Sequence, residues 1–131
     1  MEKWQRVWRF GIRPFLSDQA LIVLVRALET NDLRLMQGRI CSPPPLDELA
    51  DCAVLGCCSI GFAGWQGEGL TTVGEVERFF HRICDHADTA LGEPAACRHF
   101  LNWYDETPRS IMRRRLLAEV RLALSQAPLA A

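Results

Sequence analysis

The stretch PLDELADCAVLGCCSIGFAGW, residues 45–65, contains no charged residue after Asp51. A helix that is apolar on every side is buried in a protein core or in a membrane. A membrane span needs roughly 18 or more mostly apolar residues, and the glycines in this run leave it too short. The carboxylates at 47–48 suit a helix N-terminus. We therefore predict a central buried helix over about residues 46–63 of a helical bundle. A buried strand over 53–62 is the alternative, because periodicity does not separate helix from strand in a short apolar run.

The same stretch is rich in small residues, which would let neighbouring helices approach closely. They are Ala53, Gly56, Cys57 and Gly61. An unpaired charge buried in such a core costs several kcal/mol. We therefore expect Asp at Val54 or at Leu55 to abolish cooperative unfolding.

Length and composition indicate one globular domain over residues 1–131. The chain is 49% apolar and 24% charged, which is ordinary for a folded protein and argues against disorder. Its net charge of −1 makes no general case for nucleic acid or membrane. The charge is uneven, however: the ends, 1–18 and 108–131, are basic, and the middle is acidic. We expect the basic ends to pack against the acidic middle.

Capping residues and apolar residues at three- and four-residue steps predict the other helices. The predicted helices cover 18–29 after Ser17, 72–91 with a capping box of Thr72 and Glu75, a shorter segment from Pro94, and 107–125 with Thr107 as N-cap. In the last of these, the residues expected to face inward are Ile111, Met112, Leu116, Val120 and Leu124. The fold class is therefore all-α, a compact bundle of five to six helices.

The segment 1–16 is basic and aromatic, with Trp4 and Trp8 at helical spacing between lysine and arginine residues. Such a pair commonly fills a core while its cations stay in solvent. The alternative is a contact surface for nucleic acid or a membrane surface. At the other end, residues 126–131 are expected to be frayed.

Trp65 lies in a glycine-rich loop, Gly64–Gly69. The loop does not fit a phosphate site, since Glu68 and Glu75 flank it and no lysine follows. Trp65 is therefore either a core residue or an anchor for a partner.

Arginines cluster on the last helix, where Arg109, Arg113 and Arg114 are accompanied by two more. They could form a solvated face, or they could contact phosphates or an acidic partner. The isoelectric point near 6.3 counts against nucleic acid. Changing these three arginines together to Glu is expected to remove binding without unfolding the domain.

A metal site has only weak candidates. Four residues could supply tetrahedral zinc ligands: His81, Cys84, Cys97 and His99. Their spacing is not a known zinc pattern, and Cys97 and His99, two apart on a helix, would point about 200° from each other. We expect no metal and no cofactor, and reduced cysteines that serve as small buried apolar residues.

The sequence therefore predicts a non-enzymatic accessory or adaptor subunit that binds another macromolecule, with a protein as the favoured partner. No nucleophile-elbow or cofactor motif is present; Ser59, for example, misses the G-x-S-x-G pattern. The candidate contact residues are Trp65, Arg109, Arg113, Arg114, Trp4 and Trp8. A nucleic-acid-binding subunit and a zinc or redox protein are the alternatives. The N-terminus lacks a secretory pattern, so we expect a cytoplasmic protein without a membrane partner.

Overall fold

The computed structural model describes residues 1–126 and confirms the all-α class. The helices are α1 (Lys3–Val7), α2 (Asp18–Thr30), α3 (Ser59–Phe62), α4 (Val73–Leu91), α5 (Cys97–Glu106) and α6 (Arg109–Ser125). Two π-helical segments, Trp8–Ile12 and Ala63–Gly67, and two 3-10 turns, Arg13–Phe15 and Asp47–Leu49, extend or connect them. The one sheet of the described chain pairs β1 (Cys41–Ser42) with β2 (Gly56–Cys57), antiparallel. The prediction of a frayed end at 126–131 falls almost entirely outside the described residues.

Most of the charge-free stretch is buried, but the prediction of one helix over 46–63 is wrong. The segment 46–63 begins with the 3-10 turn at Asp47–Leu49, continues as β2, and becomes helical only from Ser59. The alternative strand over 53–62 is correct only for Gly56–Cys57.

Backbone pairing with residues 34–42 explains this conformation. Cys57 donates from its N–H to the Arg34 carbonyl at 2.8 Å, and its own carbonyl accepts from the Met36 N–H at 2.7 Å. Cys58 N–H donates to the Ile40 carbonyl at 2.9 Å. A buried backbone must find partners, and here a neighbouring segment supplies them instead of a helical turn. Gly56 permits the approach, since a Cβ there would lie 2.5 Å from the Met36 sulfur.

Local capping signals predicted α2 and α4 correctly. Ser17 Oγ accepts from the Ala20 N–H at 3.1 Å at the start of α2. Thr72 and Glu75 form the capping box of α4. Gly92 ends α4 with a left-handed φ of 63°, which favours glycine.

The start and the inward face of α6 differ from the prediction. Pro108, not Thr107, occupies the N-cap position. Ile111 and Leu124 are exposed, whereas the other predicted inward residues are buried together with Ala123. The buried stripe of α6 is therefore narrower than the sequence pattern indicates: it runs through Met112, Leu116, Val120 and Ala123, and Ile111 and Leu124 lie outside it.

Candidate docking site

The two N-terminal tryptophans belong to the core. The Trp4 ring stacks on Trp103 with centroids 3.5 Å apart, and Trp8 stacks on Phe100 at 5.8 Å. Both side chains are almost fully buried. The structure therefore places them under the surface, where they fix the N-terminal segment to α5.

Trp65 is half-buried in the second π-helical segment. Its ring meets Phe62 edge-on at 5.8 Å, and the Arg34 guanidinium lies 5.3 Å from its centroid. A cation over an indole face is an attractive contact. Trp65 is thus packed on the core on one side and covered by a cation on the other.

Arg109 and Arg113 cap the C-terminal end of α2. Arg113 donates to the carbonyls of Leu28 and Glu29 at 2.9 and 3.2 Å. Arg109 donates to the Asn31 side chain and to the Asp32 carbonyl at 2.7 and 3.0 Å. The last carbonyls of a helix lack intrahelical partners, and cations suit this end. Two of the three Glu substitutions would remove these hydrogen bonds and set carboxylates against carbonyl oxygens, so we now expect the triple variant to lose stability as well.

The rest of the arginine cluster is partly engaged as well. Arg121 pairs with Glu29 at 2.9 Å, and Arg115 pairs with Glu2 and lies over the Trp4 ring. Arg114 is exposed. Arg121–Glu29 and Arg6–Glu93 join a basic end of the chain to its acidic middle, as the charge distribution predicts, whereas Arg115–Glu2 joins the two basic ends to each other.

The four weak metal candidates do not converge on one point. Cys84 and Cys97 are adjacent, with their sulfur atoms 3.1 Å apart. His99 instead contacts Glu93 at 3.2 Å, and His81 lies 3.8 Å from Glu77. Within residues 1–126, no group of three or more His, Cys, Asp and Glu side chains is arranged to hold a metal ion.

A cleft of about 320 Å³ lies between the N-terminal segment and α6. Its lining residues are Trp8, Arg9, Phe10, Arg13, Pro14, Glu119, Leu122, Ala123 and Gln126. We call it the Phe10–Leu122 cleft. Of these residues, the sequence singled out Trp8 as a contact candidate, and Arg9 and Arg13 as part of the alternative nucleic-acid surface.

Hydrogen bonds fix the two walls of the Phe10–Leu122 cleft. Buried Glu119 accepts two bonds from Arg9, at 2.8 and 2.7 Å, and one from Gln5 at 3.0 Å. One turn further along, Arg13 donates to the Ala123 carbonyl at 3.3 Å. Arg9 is paired with Glu119, and four residues later Arg13 is paired with Ala123. Residue numbers thus increase in the same direction along both walls, so the two segments are parallel. The bidentate pair is a geometrically specific contact, and the cleft therefore has a rigid frame.

The two rims of the cleft carry large exposed apolar side chains. Phe10 is 55% exposed and Leu122 is 41% exposed. Phe10 lies in the π-helical segment Trp8–Ile12. π-Helical segments are rare and occur frequently at functional sites. Facing apolar rims on a fixed frame are typical of a surface that receives one side chain of a partner.

The charge of the cleft is weakly positive. Two arginines, Arg9 and Arg13, and one carboxylate, Glu119, line the cleft, which leaves one positive charge in excess. The hydrogen bonds to Glu119 raise the pKa of Arg9 above its already high ordinary value. Arg9 is therefore engaged by Glu119, and the positive charge available to a binding partner is that of Arg13.

The sequence did contain a signal for this cleft. Trp4, Val7 and Trp8 form the buried stripe of the N-terminal segment, and Phe10 falls two residues past it. A helical residue two positions from a buried one points about 200° away, so this spacing places Phe10, an apolar side chain, outside the stripe, which our sequence analysis missed. Only the fold could show that Leu122 lies opposite it.

Comparison of the chain with protein-family models, with curated proteins and with solved structures finds no match. Among the helices within residues 1–126, none combines the length and the apolar character that crossing a bilayer requires. The case for a function therefore rests on the geometry of the cleft.

Proposed function

We propose that the chain is a non-enzymatic accessory or adaptor subunit of the cytoplasm that binds another protein through the Phe10–Leu122 cleft. The observation that carries the proposal is the exposure of Phe10 and Leu122 on opposite rims of one cleft with a hydrogen-bonded frame. Interfaces draw most of their binding energy from a few apolar or aromatic anchors in such sites.

The occupant is a peptide segment that presents one large apolar side chain next to a carboxylate. About 320 Å³ is at the lower end of the range found for small-molecule sites, about 300–1,000 Å³, and suits a single side chain. The apolar rims bind that side chain. The excess positive charge at Arg13 favours an acidic neighbour.

Selection from a random peptide display library tests this proposal with a defined probe. We expect enrichment of peptides in which Leu, Ile, Phe or Trp is followed within a turn by Asp or Glu. Calorimetry with the enriched peptide should show affinity reduced at least about tenfold by Phe10→Ser or by Leu122→Ser, since each loses an anchor worth about 1.4 kcal/mol or more. Arg13→Gln should weaken binding less and should remove the preference for the acidic residue.

Leu33→Ser is the matched control. Leu33 is 76% exposed and does not line the cleft, so this variant should bind the peptide like the unchanged chain. Circular dichroism and thermal unfolding should show all four variants folded. Equal loss of affinity in Leu33→Ser, or enrichment of peptides without an apolar anchor, would contradict the proposal.

Two other occupants are separate outcomes of the same tests. In the first, no peptide is enriched, and sedimentation shows concentration-dependent dimers that Phe10→Ser dissociates. The occupant of the cleft would then be a second copy of the chain and not another protein. A gel shift with duplex DNA at low salt that persists in Phe10→Ser and is lost in Arg114→Glu would replace the protein partner by nucleic acid. Either result overturns the proposal.

A further inference from the structure

Cys84 and Cys97 lie against each other at the junction of α4 and α5. Their sulfur atoms are 3.1 Å apart, about 1 Å more than the length of a disulfide bond. The Cys97 N–H donates to Asp88 Oδ1 at 2.9 Å, which fixes the first turn of α5 beside α4. The pair is thus held together by the backbone as well as by its own contact.

The two thiols differ in access. Cys97 is buried, whereas Cys84 is partly exposed. Cys41 and Cys57, which lie opposite each other across the two strands, are both fully buried, and the Cys41 thiol donates to the Pro43 carbonyl at 3.2 Å. An oxidant can therefore reach Cys84 but not the Cys41–Cys57 pair.

We propose that Cys84 and Cys97 are a site of disulfide formation, with Cys84 as the thiol that reacts first with the oxidant and Cys97 as the resolving one. The oxidant is a low-molecular-weight disulfide. The Cys84 thiolate attacks one of its sulfur atoms, forms a mixed disulfide and releases one thiolate. The Cys97 thiolate then attacks the Cys84 sulfur and releases the second. The protein loses two hydrogens, and the small disulfide becomes two thiols.

The surroundings set the rate and the stability of this bond. The side-chain hydrogen bond shared with Cys97, and burial, raise the pKa of the Cys84 thiol. Little thiolate is therefore present at neutral pH, and oxidation speeds up as pH rises. Because Cys97 is buried, a reductant can reach the formed bond only at the Cys84 sulfur, so the bond is reduced slowly. The pair acts as a durable clamp between α4 and α5 and not as a rapid catalyst of exchange.

Incubation of the full chain with glutathione disulfide at pH 8.5, followed by intact mass and peptide mapping, tests the proposal. We expect loss of two hydrogens and a crosslink between the peptides that carry Cys84 and Cys97. The closed loop of about 14 residues should raise the unfolding temperature by about 5–10 °C, and a reductant should reverse the shift.

Single variants separate the two steps. Cys97→Ser should stop the reaction at a glutathione adduct on Cys84, without the temperature shift, and Cys84→Ser should form neither product at Cys97. Cys52→Ser is the matched control, because Cys52 is also partly exposed but should not affect the crosslink. A persistent glutathione adduct on Cys84 in the unchanged chain, or a crosslink to a different cysteine, would overturn the proposal.

Discussion

At Trp8, a single residue carries two opposing contributions to stability. The side chain is 1% exposed and fills the core against Phe100. Within residues 1–126, its Nε1–H is the one buried side-chain polar atom without a hydrogen-bond partner. An unpaired buried donor costs about 1–3 kcal/mol. The packing of the ring must therefore outweigh a built-in penalty.

Replacing Trp8 by Phe should consequently cost little. The smaller ring leaves a cavity but removes the unpaired N–H, and we expect a free energy of unfolding within about 1 kcal/mol of the unchanged chain. Trp8→Ala removes the packing as well and should cost about 3–5 kcal/mol. Urea unfolding measures both. A Trp8→Phe cost as large as that of Trp8→Ala would show that the indole N–H is satisfied in solution.

Two neighbours in the central stretch provide a second contrast at the residue scale. The sequence predicted equal effects for Asp at Val54 and at Leu55, but Val54 is 4% exposed and Leu55 is 67% exposed. Val54→Asp buries an unpaired charge and should abolish cooperative unfolding. Leu55→Asp should change the free energy of unfolding by no more than about 0.5 kcal/mol. Thermal unfolding monitored by circular dichroism measures both effects. Loss of the folded state in Leu55→Asp would contradict the exposed position of Leu55 in the structure.

At the scale of elements, the predictable parts of the fold are those with local causes. A capping hydroxyl or carboxylate lies within three residues of the N–H groups it satisfies, so Ser17, Thr72 and Glu75 located α2 and α4 from sequence alone. The prediction of a helix over 46–63 failed because the backbone of this segment is hydrogen-bonded to carbonyls and N–H groups of residues 34–42. Burial could be read from its composition, whereas pairing between distant segments could not.

The contact between α2 and α6 is the element-scale feature that most changes the interpretation of the arginines. A run of arginines is equally consistent with a binding face and with side chains that cap the end of a neighbouring helix. The sequence does not show which carbonyls lie nearby. Arg113→Ala removes two bonds to the end of α2 and should cost about 1–3 kcal/mol. Arg114→Ala, at the exposed neighbour, should be neutral. Urea unfolding of both variants measures the difference, and equal stabilities would return Arg113 to the list of contact residues.

At the scale of the whole molecule, the N-terminal segment and α6 lie side by side. The N-terminal segment lies beside α6 through the Arg9–Glu119 pair, and Glu2 pairs with Arg115. The Phe10–Leu122 cleft exists only because these two distant segments are adjacent. The sequence supplied its residue types and an overall charge pattern, but not this adjacency, and so its site candidates were drawn from the more conspicuous tryptophans and arginines.

Several carboxylates form hydrogen bonds in the folded chain, some to distant segments and some to nearby residues. These bonds make the stability of the fold depend on pH in the acidic range. The Arg115 hydrogen bond lowers the pKa of Glu2, the Arg34 hydrogen bond lowers that of Asp32, and the Thr72 hydroxyl in the capping box lowers that of Glu75. A carboxyl whose pKa is lower in the folded chain binds its proton more weakly there than in the unfolded chain. Its contribution is therefore complete above the unfolded pKa, near 4.5 for Glu and 3.8 for Asp, and disappears as pH falls through the folded value.

We accordingly expect the unfolding temperature to be level above about pH 5.5 and to fall steadily from about pH 4.5 downward. Glu75→Gln keeps an acceptor for the Thr72 N–H but cannot ionise, so its unfolding temperature should be lower at pH 6 and should approach that of the unchanged chain at pH 3. Thr72→Ala removes the hydroxyl that lowers the Glu75 pKa and should likewise flatten the acid slope. Thermal unfolding of the three proteins between pH 3 and pH 6 measures these slopes. If Glu75→Gln loses stability as steeply with acid as the unchanged chain, the capping box contributes nothing to the acid response, which then belongs to Glu2 and Asp32.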